Sequence, residues 1–557
     1  MNLETFMAEL GAFTFVLHTH MPYARRAGRW PHGEEWIHEV MAETYIPLLM
    51  ALHRLQNEQV PFKLTINLTP ILLEQLADED VQTNFVTYVD GRILAAEQDE
   101  ARFLAEENSH FAKLASGYRD MYRAVRSSFI EDYGKNLVGA FGALQEVGLI
   151  EIITCAATHG YLPLLDRDES IQLQLKTGIE SYRHHFGHSP KAIWLPECAY
   201  RPAFLAEDGR ERMGLETFLE RNNLSLFFSE AAMIETALPT RSVADDGGGL
   251  FGVIRRHIIS PISHLVTRRK TTTHLPYYVA DSRVCVIGRD RRTSMQVWSA
   301  ESGYPGDFDY REFHKKDGNS GLQYWRVTGD DAGLDAKEAY DRNMAAHKVE
   351  QHADHFVHLV EEEITRFNDQ EGAFGIISAN YDTELFGHWW FEGVAWLEAV
   401  IRQLAGSEIV ALTTATKYIG EYPPETEIEL PAGSWGAGGD NSVWDNEDTR
   451  WMWPIIHECE ARMLQAVENH REPSPLETET LNQVARELLL LQASDWPFLI
   501  TTGQAREYAI DRFKQHVERF ECLLENLGNS AVKRDLLDET WEADKVFPGI
   551  DFRWYEA

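Results

Sequence analysis

Ala192-Ile-Trp-Leu-Pro-Glu-Cys-Ala-Tyr-Arg-Pro202 is a short apolar run that passes into a loop, and the first acid it meets there is Glu197. Pro196 biases Leu195 toward an extended conformation and Pro202 blocks an early helix, so Glu197 is predicted to sit on a stiff, non-helical turn at a strand exit. Phe374-Gly-Ile-Ile-Ser-Ala-Asn-Tyr-Asp-Thr-Glu-Leu-Phe-Gly-His-Trp-Trp390 is built the same way, its apolar run ending at Asp382. A carboxylate at a strand exit points into the mouth of an α/β fold. Two of them among Trp, Tyr and His suit acid and nucleophile chemistry on a sugar.

Working outward, the same unit recurs: a short apolar or β-branched run, then polar or aromatic residues, then helical periodicity. Strands are predicted at 13–17, 64–68, 150–155, 192–195, 224–228, 294–298 and 374–378, with a last short one at 409–412. Helices are predicted between them, among others at 42–55, 171–185, 344–367 and 392–404. This alternation favours a parallel α/β barrel over an open sheet. The functional-looking residues fall where a barrel assembles its site. His18 and His20 follow the first strand, His159 the third, Glu197 the fourth, Trp298 the sixth and Asp382 the seventh.

The charged stretch 74–134 reads as a helical insertion beside the mouth. Residues 231–278, with Gly247-Gly-Gly249 and Arg268-Arg-Lys270, read as a long mobile loop. After Pro423-Pro424 the strand pattern is expected to stop, and 458–527 shows amphipathic helical periodicity. The expected division is a catalytic part, 1–421, and a helical C-terminal part, 422–557.

The chain has 557 residues, 88 Asp and Glu against 52 Lys and Arg, and a formal charge of −36. Such a surface repels nucleic acid and anionic membrane and suits a neutral ligand. Five cysteines without CxxC spacing argue against a disulfide scaffold and a thiolate zinc site. The N-terminus lacks a signal-peptide pattern and no apolar run reaches membrane-spanning length, so a cytoplasmic protein is expected.

Each feature has a plainer reading. A lone strand-end acid is more often a helix cap or an ion-pair partner; two with interleaved aromatics shift the balance to catalysis. His18 and His20 have the spacing of a zinc pair, of a sugar-binding pair, or of hydrogen-bonded core histidines. His347, His352, His355 and His358 read as a solvated helix face. Trp435-Gly-Ala-Gly-Gly-Asp440 lacks the ending of a phosphate-binding loop, yet Trp30, Trp36, Trp435 and Trp444 lie in loop-like sequence where a ring face can stack on a pyranose. A metal-dependent carbohydrate hydrolase and a non-catalytic glucan-binding protein remain as alternatives.

Phe15-Val-Leu-His-Thr-His-Met-Pro-Tyr23, Ala157-Thr-His-Gly-Tyr161, Trp194-Leu-Pro-Glu-Cys-Ala-Tyr-Arg-Pro202, Gln296-Val-Trp-Ser299 and Tyr381-Asp-Thr-Glu-Leu-Phe-Gly-His-Trp-Trp390 resemble glycoside hydrolase family 57. With Gly433-Ser-Trp-Gly436 and Ala493-Ser-Asp-Trp-Pro-Phe498 they resemble, more narrowly, its 1,4-α-glucan branching enzymes. The resemblance implies an incomplete (β/α)7 barrel with a helical insertion and an all-α C-terminal domain, and no metal or other cofactor. It implies Glu197 as nucleophile and Asp382 as general acid/base. Arg289, Gly306, Trp435, Asp495 and Gln504 would bind substrate, and His18, His20, Trp30, Trp36, His159, Trp298 and Trp444 would line the site.

The implied partner is an α-glucan such as amylose, amylopectin or glycogen, with no oligomeric state assigned. Relatives carry a shielding tyrosine on the loop matching 231–278, where this chain has none before Tyr277. The implied reaction is a retaining double displacement, for which the two carboxyls are expected about 5–5.5 Å apart. A 6-hydroxyl acceptor gives an α-1,6 branch and water gives a shorter chain. Amylases and 4-α-glucanotransferases of the family share the same pair of acids. The C-terminal tryptophans and the 231–278 loop are expected to form a lid.

Overall fold

The computed structural model describes residues 9–28, 32–206, 209–242, 270–299, 302–329, 331–528 and 533–556. Its frame is a ring of parallel strands. Gly11–Thr19 is buried along its whole length and is rich in aromatic and branched residues, as a strand covered on both faces must be. On one side it pairs with Gly375–Asp382, from Gly11 opposite Gly375 to His18 opposite Asp382. On the other side its second half pairs with Leu64–Leu68 and its first three residues with Val410–Leu412. Ile150–Cys155 and then Ile193–Trp194 continue the sheet.

Beyond Ile193–Trp194 the ring is thin. A single parallel bridge joins Ala192 to Leu226, at the start of Leu226–Ser229, which pairs with Cys285–Gly288. The amide of Asp290 then donates to the carbonyl of Ser378 (2.9 Å), returning to Gly375–Asp382. Two single contacts in place of full ladders make this an incomplete barrel of seven parallel strands, as expected.

Alternation along the first strand divides its side chains between two environments. Phe13, Phe15 and Leu17 face outward, where Phe13 and Phe15 pack on Phe356 and Phe15 on Trp396. Ala12 and Val16 join Ile153, Trp194, Phe228 and Ile376 in a separate interior cluster. His18 continues that inward series at the carboxyl end of the strand, which puts an imidazole at the mouth. The long outer helix Arg342–Glu371 starts at Asp341, whose carboxylate accepts from Asn343 and Met344, and stops at Gly372 with φ 64°.

The sixth predicted strand is corrected. Residues 294–298 lie in the helix Arg291–Trp298, which Asp290 caps by accepting from Thr293, and the sixth strand is the preceding run Cys285–Gly288. Ser294-Met-Gln-Val-Trp298 alternates like a strand, but burial at Thr293, Ser294 and Val297 follows helical spacing, and the cap decides it. Trp298 is therefore at a helix end and 40% exposed. Strands also do not stop near 422, because Thr426–Glu429 pairs with Leu238–Ser242 and Tyr277–Val279. The expected 231–278 loop starts as the helix Ala231–Thr236 and ends in Tyr277–Val279; its residues 243–269 lie outside the described residues.

The insertion is a helical hairpin, Glu79–Ala105 and Ser109–Ser127, with Asp78 and Asn108 as caps. At the other end of the chain, Pro475–Leu491 opens with a reciprocal Ser474/Glu477 capping box and buries nearly every side chain of its second half. Met452–Asn469, Asp495–Thr502 and Arg506–Gly528 accompany it. This helical part reaches the barrel mouth: Ala493 bridges to Gly160, and the Ser494 amide donates to the His159 carbonyl (3.0 Å).

Candidate active site

Glu197 sits in a tight turn in which the Cys198 amide returns to the Leu195 carbonyl (2.9 Å). Pro196 is its second residue and Glu197 its third, at φ 61°, a region that non-glycine residues avoid. Cys198 (φ 49°) and His159 (φ 58°) share that conformation. Strained backbone at these three neighbouring positions is held by the surrounding contacts. The Gly433-Ser-Trp segment supplies some of them: Gly433 exchanges both backbone hydrogen bonds with Tyr200, and the Trp435 amide donates to the Glu197 carbonyl (3.0 Å).

The Glu197 carboxyl, 13% exposed, has two donors, both from beyond the barrel strands. Trp435 Nε1 donates to Oε2 (2.8 Å) and Ser494 Oγ to Oε1 (3.0 Å). Burial raises its pKa, and these two hydrogen bonds oppose the rise. Trp435 also packs edge-on against Trp194 and lies under the Arg289 guanidinium, which pairs with Glu230 (2.5 Å).

Asp382, at the end of its strand, is half-buried. Burial first, then the carboxylates of Glu384 and Glu197, push its pKa well above the usual carboxylate range. Glu384 itself is pushed up to about 7 by burial, opposed by hydrogen bonds from the Tyr45 hydroxyl and the His20 amide.

The three histidines come together. His20 stacks on His159 with centroids 4.0 Å apart, and His18 lies 5.0 Å from His159 and 4.8 Å from Trp194. All four ring nitrogens of His18 and His20 are engaged: His18 by Asn67 and His159, His20 by Thr69 and by Asp495 (2.9 Å). Burial works against a charge on His20, but Asp495, Glu384 and Glu197 together outweigh it and raise the pKa. His18 and His159 are lowered well below the usual value, chiefly by burial. Among the described residues the cluster spaced for a cation lies elsewhere, at Glu487, His516 and Asp544, where Arg512 and Arg519 already pair with it.

Of the predicted site residues, Glu197, His18, His20, His159, Arg289, Trp435 and Asp495 are linked by contacts, with Asp382 opposite His18 in the adjoining strand. Trp36 faces His32 and Tyr508. Gly306 and Gln504 are exposed, and no contact ties either to the acids. Trp444 is 1% exposed and stacked on Tyr161 at 4.4 Å, so its ring is core and offers no face to a ligand or a lid. Trp30 lies outside the described residues. The helix histidines His352 and His355 bond to Tyr310 and Tyr304; His355 is still exposed, as a solvated face requires, whereas His352 is partly buried, which corrects that reading for it alone.

The sequence reading missed Ser494, Asn67, Trp194 and Glu384. Asn67 had a signal, as a lone amide within the apolar run Leu64–Leu68; Ser494 and Glu384 lay within quoted motifs, beside residues that drew the attention.

Known proteins match this architecture. The profile described as Glycosyl hydrolase family 57 matches residues 14–431. The chain belongs to this family. A second profile, 1,4-alpha-glucan branching enzyme, C-terminal, matches residues 455–555. A 1,4-alpha-glucan branching enzyme of Thermococcus kodakarensis is 46% identical over 552 residues, covering 96% of this chain and 77% of the relative. A probable 1,4-alpha-glucan branching enzyme of Mycobacterium tuberculosis is 30% identical, with 98% of each chain covered.

Among solved structures, a family 57 branching enzyme from Pyrococcus horikoshii superposes with a TM-score of 0.86 at 41% identity, covering 98% of this chain and 97% of the other. The alpha-amylase AmyC of Thermotoga maritima gives 0.82 at 31% identity, covering 98% and 99%.

Proposed function

We propose that this protein is a 1,4-α-glucan branching enzyme that works by a retaining double displacement. Glu197 attacks the anomeric carbon of an α-1,4-glucan while Asp382 protonates the departing oxygen. Asp382 then takes the proton of an incoming 6-hydroxyl, which displaces Glu197 and leaves an α-1,6 branch. The observation that carries the reading is the unequal treatment of the two acids: Glu197 has two donors that favour its charged form, whereas Asp382 lies among buried carboxylates that favour its neutral form. The branching relative at 46% identity and the matching C-terminal profile support transfer to a glucan hydroxyl. Arg289, Asp495, His20 and Trp435 surround the acids and suit binding of sugar hydroxyls and ring faces.

Amylose, amylopectin or glycogen fits the acidic, metal-independent site we propose, and the setting is glycogen synthesis in the cytoplasm. Among the described residues no helix is long and apolar enough to cross a membrane. The likeness to the Thermotoga amylase supports hydrolysis as a second reading. Incubation with amylose, counting α-1,6 linkages against new reducing ends, separates the two. Branching predicts an excess of α-1,6 bonds with measurable accompanying hydrolysis, and an amylase predicts reducing ends alone.

A further inference from the structure

The strand that ends at Asp382 runs into a loop that carries an exposed indole. Trp389 is 46% exposed. One side of its ring packs on Phe313, with centroids 4.6 Å apart, and His388 meets it edge-on at 5.3 Å, which leaves the opposite face to solvent. A large ring held open in this way offers apolar surface to something that covers it.

The loop beneath the indole is fixed at several points. Gly387 has φ 105°, and a side chain there would run into the Glu43 carbonyl oxygen, so loop and helix are in direct contact. The His388 amide donates to Thr44 Oγ1 (3.2 Å), His388 Nδ1 lies 3.1 Å from Glu43 Oε2, and the Trp389 amide donates to the Glu384 carbonyl (3.2 Å). Glu43 and Thr44 belong to a π-helical turn, Met41–Tyr45, whose last residue bonds to the Glu384 carboxyl. Phe313 is held by Gln323 Nε2, which donates to its carbonyl (3.1 Å). A ring on backbone held like this is preorganised, and covering it orders little further.

The same contacts tie the indole to the acids. Glu384 stands two residues past Asp382 and its carboxyl accepts from the His20 amide (3.1 Å), so Trp389 lies one backbone hydrogen bond from the edge of the candidate active site. The outer face of the helix Glu34–Val40 and of the π turn leads toward it, with Trp36, Glu39 and Glu43 at helical spacing. From Trp36 to Glu43 this face is about 10 Å long, at about 1.5 Å per residue. His388 occupies Glu43. Glu39, half-buried and close enough to His388 and Lys316 to feel their charges, accepts no hydrogen bond among the described residues.

We propose that Trp389, backed by Phe313 and flanked by Glu39, is a further glucan subsite, where a sugar ring beyond the catalytic subsites stacks on the open indole face and a sugar hydroxyl donates to Glu39. This rests on the reading of the protein as an enzyme of α-glucans. An aromatic face beside an unoccupied carboxylate suits a neutral polyhydroxyl chain, whose rings carry apolar C–H faces and whose hydroxyls donate. The same carboxylates, on a chain of formal charge −36, disfavour an anionic ligand. One open indole backed by a phenyl ring is also far smaller than the about 800 Å² per side of a stable protein contact, and it matches the width of a sugar ring.

The test uses full-length Glu197→Gln, which is expected to bind glucan without turning it over, and calorimetry with maltodecaose. Adding Trp389→Ala should raise Kd about tenfold or more, Phe313→Ala should raise it less, and Trp389→Phe should keep most of the affinity. With Glu197 intact, Trp389→Ala should leave turnover of α-glucosyl fluoride, which fills only the catalytic subsites, essentially unchanged, and should weaken action on amylose through KM more than through kcat. An unchanged Kd in Trp389→Ala, or equal losses on α-glucosyl fluoride and amylose, would overturn the proposal. So would a change in sedimenting mass with affinity intact, which would make the indole a contact between copies of the chain. If Glu197→Gln with Trp389 in place binds no maltodecaose at all, the glucan reading itself fails, a result distinct from loss of this subsite alone.

Discussion

Glu197 and Asp382 both leave parallel strands at the same end of the barrel, yet their surroundings treat a negative charge unequally. Glu197 meets an indole N–H and a hydroxyl, delivered by segments that follow the barrel. Asp382 meets burial and two other carboxylates, which the charges of His20 and Arg289 oppose only in part. The barrel thus places two similar acids, and the chain that folds back over it makes them dissimilar. Roles for two like groups are assigned by what surrounds them, and here the assignment comes largely from the C-terminal third of the molecule.

The largest expected effect is at Glu197 itself. Glu197→Gln keeps shape and hydrogen-bond partners but cannot form the ester, so branching and hydrolysis should fall together by on the order of 10⁴–10⁶-fold. Near-normal turnover would erase the distinction between the two acids. Asp382→Asn should be selective: on amylose the loss is about 10²–10⁴-fold, while α-glucosyl fluoride, whose leaving group needs no proton, still glycosylates the enzyme. Equal losses on both donors would place the acid elsewhere.

Trp435→Phe removes one N–H from Glu197 and keeps an aromatic ring. A hydrogen bond to a charged group contributes about 1.5–3 kcal/mol, so kcat/KM should fall about tenfold to a hundredfold. Because the lost donor favoured the charged form, the Glu197 pKa rises and the acid limb of the pH profile moves to higher pH; an unmoved limb would mean that the indole only packs. The smallest effect is expected from Glu384→Gln. Asp382 must be protonated to act as acid, so activity is lost as pH rises through its raised pKa. Removing the neighbouring carboxylate lowers that pKa, and the alkaline limb should move to lower pH by about one unit. A shift to higher pH would contradict the like-charge account.

The barrel was legible because strands buried on both faces leave short apolar runs, and because an acid at the end of such a run stands out. Both acids, the three histidines and the residues Trp435, Asp495 and Arg289 were found this way or through the family resemblance. The sixth strand was misplaced because Ser294-Met-Gln-Val-Trp298 alternates with period two, while the cap at Asp290 that starts its helix is a single residue. Trp444 was misjudged since loop composition suggests exposure, whereas Tyr161 and the C-terminal helices bury its ring. Ser494 was invisible for a different reason: its role lies in meeting Glu197 and His159 from hundreds of residues away, a contact that no local pattern encodes.

The central claim is that Glu197 carries the sugar while Asp382 handles the proton. The most direct measurement is the mass of the peptide containing Glu197 after Asp382→Asn has been mixed with α-glucosyl fluoride and quenched in acid. The account predicts one hexose in ester linkage on Glu197, absent when Glu197→Gln is added to the same variant. Release of fluoride with no adduct on Glu197, or an adduct on a different side chain, would contradict it.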